Sequence, residues 1–236
     1  MTDDPEPVEY HHWEIYLASQ WTQDISGTVG TLPHIDANYG IVPDLHLHVQ
    51  APMVYSVPSN SSTQYGIGDI EAGFKYRFIN EDEDGWVPQA AIYPAVDFPT
   101  GNTSRGLGEG KTKIYLPLWL QKGFGRWTTY GGGGYWVNTG DKSKNYSFLG
   151  WVLQREVSKI LTFGVEIFNT SPKAKGESGE TGFNVGGYIN IDEEYHILYS
   201  VGRDIWGRSD LIGYIALQWT FGEKEDNDKS KPFNKD

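Results

Sequence analysis

The sequence predicts an all-β fold, a closed antiparallel transmembrane β-barrel of about 12 strands with short periplasmic turns and longer extracellular loops. Apolar and polar residues alternate along most of the chain, as they do in strands with two different faces. The alternating segments run about 10 to 13 residues, long enough to cross a bilayer at a tilt. The connections between them are alternately short and long. Helical spacing with helix caps is hard to find in the chain.

Composition excludes several classes of protein. The chain has 236 residues, 14% aromatic residues and no cysteine, which excludes a disulfide scaffold and a cysteine-ligated metal site. Its net charge of −12 argues against a nucleic-acid partner, because no basic patch is present to bind phosphates. No stretch approaches the roughly 20 apolar residues of a membrane helix. No signal peptide is recognisable, since Met1 is followed at once by acidic residues.

Residues 66–78, GIGDIEAGFKYRF, show the alternation most clearly. Ile70 to Phe78 place apolar side chains on one face, and the other face carries four charged residues: Asp69, Glu71, Lys75 and Arg77. The same period of two predicts the other strands. The predicted strands, in order, are 11–21, 27–39 (interrupted by Pro33), 44–50, 66–78, 88–98, 113–122, 127–138, 149–156, 161–167, 183–191, 195–202 and 211–221.

The connections sort by length. The short ones are expected at 39–43, 122–126, 157–159 and 192–194, with a compact polar turn at 80–85, and the longer ones at 51–65, 99–112 and 169–181. This sorting is typical of outer-membrane barrels. We expect an acidic N-terminal extension at 1–9, the barrel at 10–221 and a charged, disordered periplasmic tail at 222–236.

Alternation alone does not say which face points inward. In a secreted soluble barrel the apolar face forms the core, whereas in a membrane barrel it meets lipid and the polar face lines the lumen. Strand length and aromatic residues near the strand ends favour the membrane barrel. The residues expected in the lipid-facing aromatic girdle are Trp13, Trp21, Trp127, Trp219 and Phe221.

Motifs for catalysis or ligand binding are weak. GLGEGKT at 106–112 resembles a phosphate-binding loop, but Arg105 occupies the position of the first glycine, which favours a flexible glycine loop. His46 and His48 share a strand face about 7 Å apart, so they either hold a cation with a neighbouring carboxylate or simply contribute polarity. Ser200 and His196 are too far apart along a strand for an esterase pair. We expect no catalytic residue, cofactor or metal site.

Several blocks of sequence resemble one family. YGIGDIEAGFKYRF, YPAVDFPTG, PLWLQK at 117–122 and WTTYGGGGYWVN at 127–138 are similar to the transporter-like family associated with the meta-pathway of phenol degradation. LPHIDANYG at 32–40 also fits, although the family more often has Glu where Asp36 stands. The resemblance covers roughly 10–220. It implies an outer-membrane β-barrel of Gram-negative bacteria that passes small molecules.

The sequence therefore predicts a porin-like channel for passive passage of small solutes, including aromatic ones, through a polar lumen. Its alternatives are a closed structural barrel, an outer-membrane lipid-modifying enzyme, and a secreted binding barrel. Expected partners are outer-membrane lipid and a small-molecule solute. The sequence leaves open whether the chain forms a homo-oligomer. The predicted lumen-lining residues are Asp69, Glu71, Lys75, Arg77, His46, His48, Gln121, Trp119, Tyr130, Gln154, Glu156 and Glu166.

Overall fold

The computed structural model describes residues 1–82, 84–140, 143–208 and 210–223. The strands are β1 (His12–Asp24), β2 (Gly27–Val42), β3 (Leu45–Pro58), β4 (Gln64–Ile67), β5 (Ile70–Ile79), β6 (Gln89–Ile92), β7 (Ala95–Phe98), β8 (Lys113–Phe124), β9 (Trp127–Asn138), β10 (Tyr146–Glu156), β11 (Leu161–Thr170), β12 (Glu180–Asn190), β13 (Tyr195–Trp206) and β14 (Leu211–Gly222). Among the described residues the helical element is a 3₁₀ turn, Thr103–Arg105. The predicted disordered tail lies outside the described residues from 224 onward.

The fourteen strands occupy twelve positions around a closed barrel, which we call staves. Two of the staves are each made of two short strands. β4 and β5 both pair with β3, and β6 and β7 both lie between β5 and β8. β1 pairs with β14 in antiparallel register from His12–Gly222 to Gln23–Leu211, which closes the sheet. The prediction of a closed antiparallel barrel of about twelve strands is confirmed.

The outer face of the barrel is apolar. Large aliphatic and aromatic side chains at alternate strand positions are exposed by about two-fifths to three-fifths of their surface, among them Leu17, Ile35, Leu47, Leu116, Leu149, Val165, Ile167 and Ile215. Most buried residues at the intervening positions are small or polar, such as Ala18, Asn38, His48 and Asn184, and a few are aromatic, such as Trp119 and Phe168. A soluble barrel would bury the first set and expose the second. No helix within the described part of the chain is long and apolar enough to cross a membrane.

The barrel has two distinct ends. The turn end carries residue 10, Glu223 and the connections 43–44, 80–88, 125–126, 157–160 and 191–194. The loop end carries 25–26, 59–63, 99–112, 139–145, 171–179 and 207–210. The expected long connection at 51–65 is wrong in extent, because β3 continues to Pro58 and the connection is only 59–63. Ser56 and Met53 pair with β4, which gives the backbone of this extension its partners.

Pro33 does not interrupt the second strand, contrary to the sequence-based expectation. β2 runs continuously from Gly27 to Val42, and its pairing with β3 shifts between Thr31 and His34. A proline has no N–H to donate, so it fits in a strand at a bulge where one ladder hydrogen bond is already missing. The alternation of inward and outward side chains continues on both sides of Pro33, because the shift in pairing is confined to residues 31–34.

Three of the four glycines at 131–134 are covered by side chains from neighbouring strands. The ring of Trp151 in β10 lies over Gly131, and its Nε1 donates to Thr129 Oγ1 at 2.7 Å. Leu149 lies over Gly133 on the same outer face. These contacts fill the space that β9 leaves bare, so bulky side chains of one strand compensate for their absence on the next.

Adding a methyl group at Gly131 should therefore destabilise the barrel. A Cβ there would lie 2.4 Å from the carbonyl oxygen of Gly150 and 2.6 Å from the Trp151 ring. We expect Gly131→Ala to lower the free energy of unfolding by about 1–3 kcal/mol, the usual cost of overpacking. Urea unfolding in lipid vesicles, followed by tryptophan fluorescence, measures it.

Gly123→Ala is the matched control, because the nearest atom to its added Cβ is Glu81 Oε1 at 3.4 Å. We expect a change below about 0.5 kcal/mol there. Equal losses in the two variants would contradict the packing assigned to Trp151.

Candidate functional site: the barrel lumen

The inward-facing side chains surround a cavity of about 1040 Å³ that opens at the loop end. Its mouth is lined by Asp24, Ser26 and Arg208, and its floor by residues 1–4 and Glu14. Between them the wall is aromatic and polar, with Tyr16, His34, Asp36, His48, Glu71, Tyr93, Tyr115, Trp119, Tyr130, Trp136, Ser200 and Tyr214. The lining carries more carboxylates than basic groups, so the cavity is acidic.

The floor of this cavity is the N-terminal segment, residues 1–9, which lies inside the barrel. It leaves the turn end beside β2, where the carbonyl of Glu9 approaches Gly40 so closely that an added Cβ would lie 1.9 Å from it. The N–H of Val8 then donates to His46 Nδ1 in β3 at 3.0 Å. At its far end, the N–H of Thr2 donates to Glu166 Oε1 in β11 at 2.7 Å. Since β3 and β11 lie on opposite walls, the segment crosses the lumen.

The acids of the N-terminal segment bind the bases of β5. Lys75 Nζ lies 3.2 Å from a carboxylate oxygen of Asp3 and 3.7 Å from Asp4, and its side chain is only 6% exposed. Arg77 donates to Glu6 Oε1 at 2.8 Å and to Asp44 Oδ1 at 2.6 Å. A buried ammonium without such partners is strongly destabilised. The two predicted lumen bases are thus neutralised by a segment that also occupies lumen volume.

A second network joins the acids of the inner wall. His48 in β3 contacts Asp36 Oδ1 at 3.0 Å through Nδ1 and Glu71 Oε1 at 3.1 Å through Nε2. Both nitrogens can donate only when the ring is the imidazolium. Lys113 lies 2.9 Å from Asp97 further along the same wall. His46 and His48 therefore contact different groups, the N-terminal segment and two carboxylates, and do not converge on one point.

The other predicted lumen residues occupy several different environments. Trp119 is 1% exposed and packs with Phe148 and Phe168 inside the barrel. Tyr130 lines the cavity, and Glu166 binds Thr2 and Asn184. Gln121 and Gln154 are half-buried. Glu156 is exposed at the end of β10 at the turn end, so it lies at the rim rather than within the lumen.

Asp69 does not lie in a strand, contrary to the sequence-based prediction. It sits in the gap between β4 and β5, and its carboxylate accepts the N–H groups of Gly101 at 2.9 Å and Glu109 at 2.7 Å. The alternation continues through the gap because both half-strands pair with β3. Asp69 thus holds the 99–112 connection.

The glycine-rich motif at 106–112 belongs to this held connection. Leu107 is 2% exposed, and its side chain occupies the space beside Gly66, where an added Cβ would lie 3.0 Å from Leu107 Cδ1. Arg105 donates to Gln64 Oε1 at 2.8 Å. Burial raises the pKa of the Glu109 carboxyl, but the nearby ammonium groups of Lys113 and Lys111 lower it by more, so the pKa of Glu109 is lowered overall. These contacts fix the connection, in contrast to the flexible loop that the sequence suggested.

Four of the five predicted girdle residues gather at the turn end. Trp219 stacks on Phe221 with ring centroids 4.1 Å apart, and Trp13 lies 4.7 Å from Tyr39. Trp127 begins β9 at the same end. Trp21 lies towards the loop end and packs over Gly213 of β14. The aromatic residues of this set therefore mark mainly one boundary of the barrel.

The N-terminal segment is the part of the site that sequence reasoning missed. The sequence shows an acidic stretch, TDDPEPVE, and separately a strand with two inward bases. The opposite charges of this stretch and of the two bases were the signal from which a contact between them could have been predicted. Alternation describes only strands, so it could not place an irregular segment within the lumen.

Comparison with solved structures shows that the chain has the fold of outer-membrane β-barrels. An outer-membrane channel from Pseudomonas putida F1 is 14% identical, with 94% of this chain and 99% of that chain covered and a TM-score of 0.77. The KdgM porin, solved in complex with disordered oligogalacturonate, is 10% identical, with 88% and 99% covered and a TM-score of 0.62. The translocator domain of the autotransporter NalP from Neisseria meningitidis is 11% identical, with 89% and 88% covered and a TM-score of 0.57. No family model and no curated protein matches the chain.

Neutralising the acids of the N-terminal segment should release it from the wall. In the variant Asp3→Asn with Glu6→Gln, the carboxylates that bind Lys75 and Arg77 are lost. Because hydrogen bonds to charged groups contribute about 1.5–3 kcal/mol each, we expect amide exchange of residues 2–8 to become at least about tenfold faster. Hydrogen–deuterium exchange with mass spectrometry on the detergent-solubilised barrel measures it.

Glu9→Gln is the control, because the Glu9 carboxylate is 86% exposed. Its exchange should match that of the unmodified chain. Slow exchange of residues 2–8 in the double variant would show that the ion pairs do not hold the segment.

Proposed function

We propose that the chain is a bacterial outer-membrane channel, not an enzyme, through which small solutes diffuse passively along a polar lumen. The observation that carries this proposal is the combination of an apolar outer face with a polar cavity of about 1040 Å³ inside one closed barrel. An apolar exterior suits lipid, and a hydrated interior lined by charged and hydrogen-bonding groups suits solute passage. The fold of the Pseudomonas putida channel supports it.

The orientation follows from the connections. Short turns face the periplasm in bacterial outer-membrane barrels and longer loops face outward. We therefore assign the turn end to the periplasm and the loop end, with the cavity mouth, to the exterior. On this assignment a solute enters between Asp24 and Arg208 and meets the N-terminal segment before it reaches the periplasm.

The N-terminal segment sets the conductance in this proposal. It crosses the lumen between β3 and β11, so the ion path narrows beside it. The acidic lining favours cations over anions, because Lys75 and Arg77 are already paired with acids.

A finer proposal concerns the solute. The cavity wall carries several aromatic rings: Tyr115 and Trp136 stack on each other with centroids 4.4 Å apart, whereas Tyr130 and Tyr214 line the cavity with no ring stacked on them among the described residues. Flat faces of this kind bind aromatic molecules by offset stacking. Membership of the transporter-like family is proposed from the blocks of sequence that resemble it, and the aromatic solute is proposed from the rings of the cavity wall.

Planar-bilayer recordings test the channel. We expect discrete cation-selective current steps for the full chain, and larger steps when residues 2–8 are deleted, because the deletion widens the path. Added phenol should reduce the current, and Tyr130→Ala should weaken that block. A folded barrel that stays silent with and without residues 2–8 would overturn the channel, and unchanged conductance after deletion would overturn the role of the segment.

The lipid-facing assignment has its own test. Val165 lies midway along β11 and is 47% exposed, whereas Val157 lies in a connection at the turn end. In vesicles, Val165→Arg should cost about 2–4 kcal/mol of folding free energy and Val157→Arg about 0–1 kcal/mol, because the cost of arginine depends on depth. Chemical unfolding measures both. Equal costs would contradict a membrane position for the middle of the barrel.

A further inference from the structure

Three carboxylates meet at the loop end of the barrel, outside the floor and wall networks described above. We call them the rim cluster: Glu180 at the start of β12, Asp204 in β13 and Asp210 just before β14. One oxygen from each lies within 4.8 Å of the others. The backbone fixes two of them, since the N–H of Asp204 donates to the carbonyl of Asp210 at 3.0 Å.

Two oxygens of the rim cluster are buried without a partner. Asp204 is 3% exposed and Asp210 is 2% exposed, and the Oδ1 atom of each has no hydrogen-bond partner among the described residues. Their Oδ2 atoms are engaged: Asp204 Oδ2 accepts the N–H of Asp210, and Asp210 Oδ2 lies 3.0 Å from Arg208. A buried acceptor without a donor costs free energy, so these two atoms indicate a ligand.

The nearby basic side chains do not fill this position. Lys173 lies 3.0 Å from Glu180 Oε1 and Arg208 lies 3.6 Å from Glu180 Oε2, so neither contacts the unpartnered oxygens of Asp204 and Asp210. Both side chains are largely exposed, 46% and 60%, so they lie on the solvent side. With three carboxylates and two basic groups, the cluster keeps a net negative charge.

We propose that the rim cluster binds a calcium ion. The donor set is entirely oxygen, which suits a hard divalent cation and not zinc, whose usual ligands are nitrogen and sulfur. Calcium accepts six to eight oxygen ligands in a flexible geometry, whereas magnesium demands a near-ideal octahedron and keeps several of its waters, so three carboxylates that approach from different parts of the backbone suit calcium better. Water completes the coordination, as is common for calcium.

The surroundings give the ion access from two sides. A cleft of about 310 Å³, lined by residues that include Lys173, Glu180 and Arg208, adjoins the cluster on the surface. Asp210 and Arg208 also line the lumen cavity. An ion here would join Glu180 of β12, Asp204 of β13 and Asp210 at the cavity mouth, where, on the orientation proposed above, calcium of the external medium reaches it.

The alternative occupant of the two buried oxygens is a proton. Burial raises the pKa of Asp210, so this carboxyl takes up a proton at a higher pH in the folded chain than a free carboxyl does. A proton shared between the two aspartates would stabilise the barrel as the pH falls, without any metal. Calcium binding instead weakens as the pH falls, since the proton and the ion compete.

Isothermal titration of calcium chloride into the chelator-stripped, detergent-solubilised full chain tests the proposal. We expect one site with a dissociation constant of about 10⁻⁴–10⁻³ M, as in extracellular calcium modules, and much weaker binding of magnesium. Asp204→Asn and Asp210→Asn should each weaken calcium binding at least about tenfold. Glu193→Gln, which removes an exposed acid at the turn end, should leave it unchanged.

Thermal unfolding of the unmodified chain covers the case in which a variant fails to fold. Calcium at 10 mM should raise the unfolding temperature at pH 7, and magnesium should not. The proposal is overturned by calcium titrations without heat and without a thermal shift, by equal binding in the aspartate variants, or by stabilisation at low pH that replaces the calcium effect. None of these readouts depends on conductance.

Discussion

The antiparallel pairing of β1 with β14 is the constraint on which the rest of the structure depends. It gives the backbone of the first and last staves their partners, from His12–Gly222 to Gln23–Leu211, so the sheet has no free edge. Closure fixes two surfaces at once, since successive residues of each strand point to opposite sides. Every polar side chain that the outer surface does not accept is directed to the interior, and the interior has to accommodate all of them together.

The interior accommodates its charges through particular pairs, not through bulk water alone. Lys75 and Arg77 take their counter-charges from the N-terminal segment, and His48 links two carboxylates of neighbouring strands. The aromatic cluster of Trp119, Phe148 and Phe168 fills part of the same space. The lumen is thus a packed interior on one side and an open acidic cavity on the other.

Much of the fold could be predicted from the sequence because one physical rule, alternation, governs twelve staves. The 127–138 strand was predicted at the bounds observed, and the stave of GIGDIEAGFKYRF was recognised despite its interruption. Alternation fails where the backbone departs from regular pairing. It missed the bulge that carries Pro33 and the extension of β3 to Pro58, whose sequence, APMVYSVP, contains two prolines.

The candidate site was predictable only in part, for the same reason. The alternation of side chains places Glu71, Lys75 and His48 on the inner face, but it does not say which groups they contact. Asp69 falls on the inward-facing positions of the alternation but lies outside a strand, where its carboxylate accepts hydrogen bonds from two loop amides. The N-terminal segment follows no period, so its place depends on charge complementarity over long sequence separations, such as 72 residues between Asp3 and Lys75.

The path of the N-terminal segment also has a mechanical consequence. Hydrogen bonds stiffen a barrel along its staves and around its circumference, but an empty cylinder flattens readily under lateral pressure. A chain fastened to β3 by Val8 and to β11 by Thr2 spans the diameter as a strut and resists that deformation. The same residues that cross the lumen therefore keep its cross-section round, so the free width of the lumen and the stiffness of the wall depend on one segment.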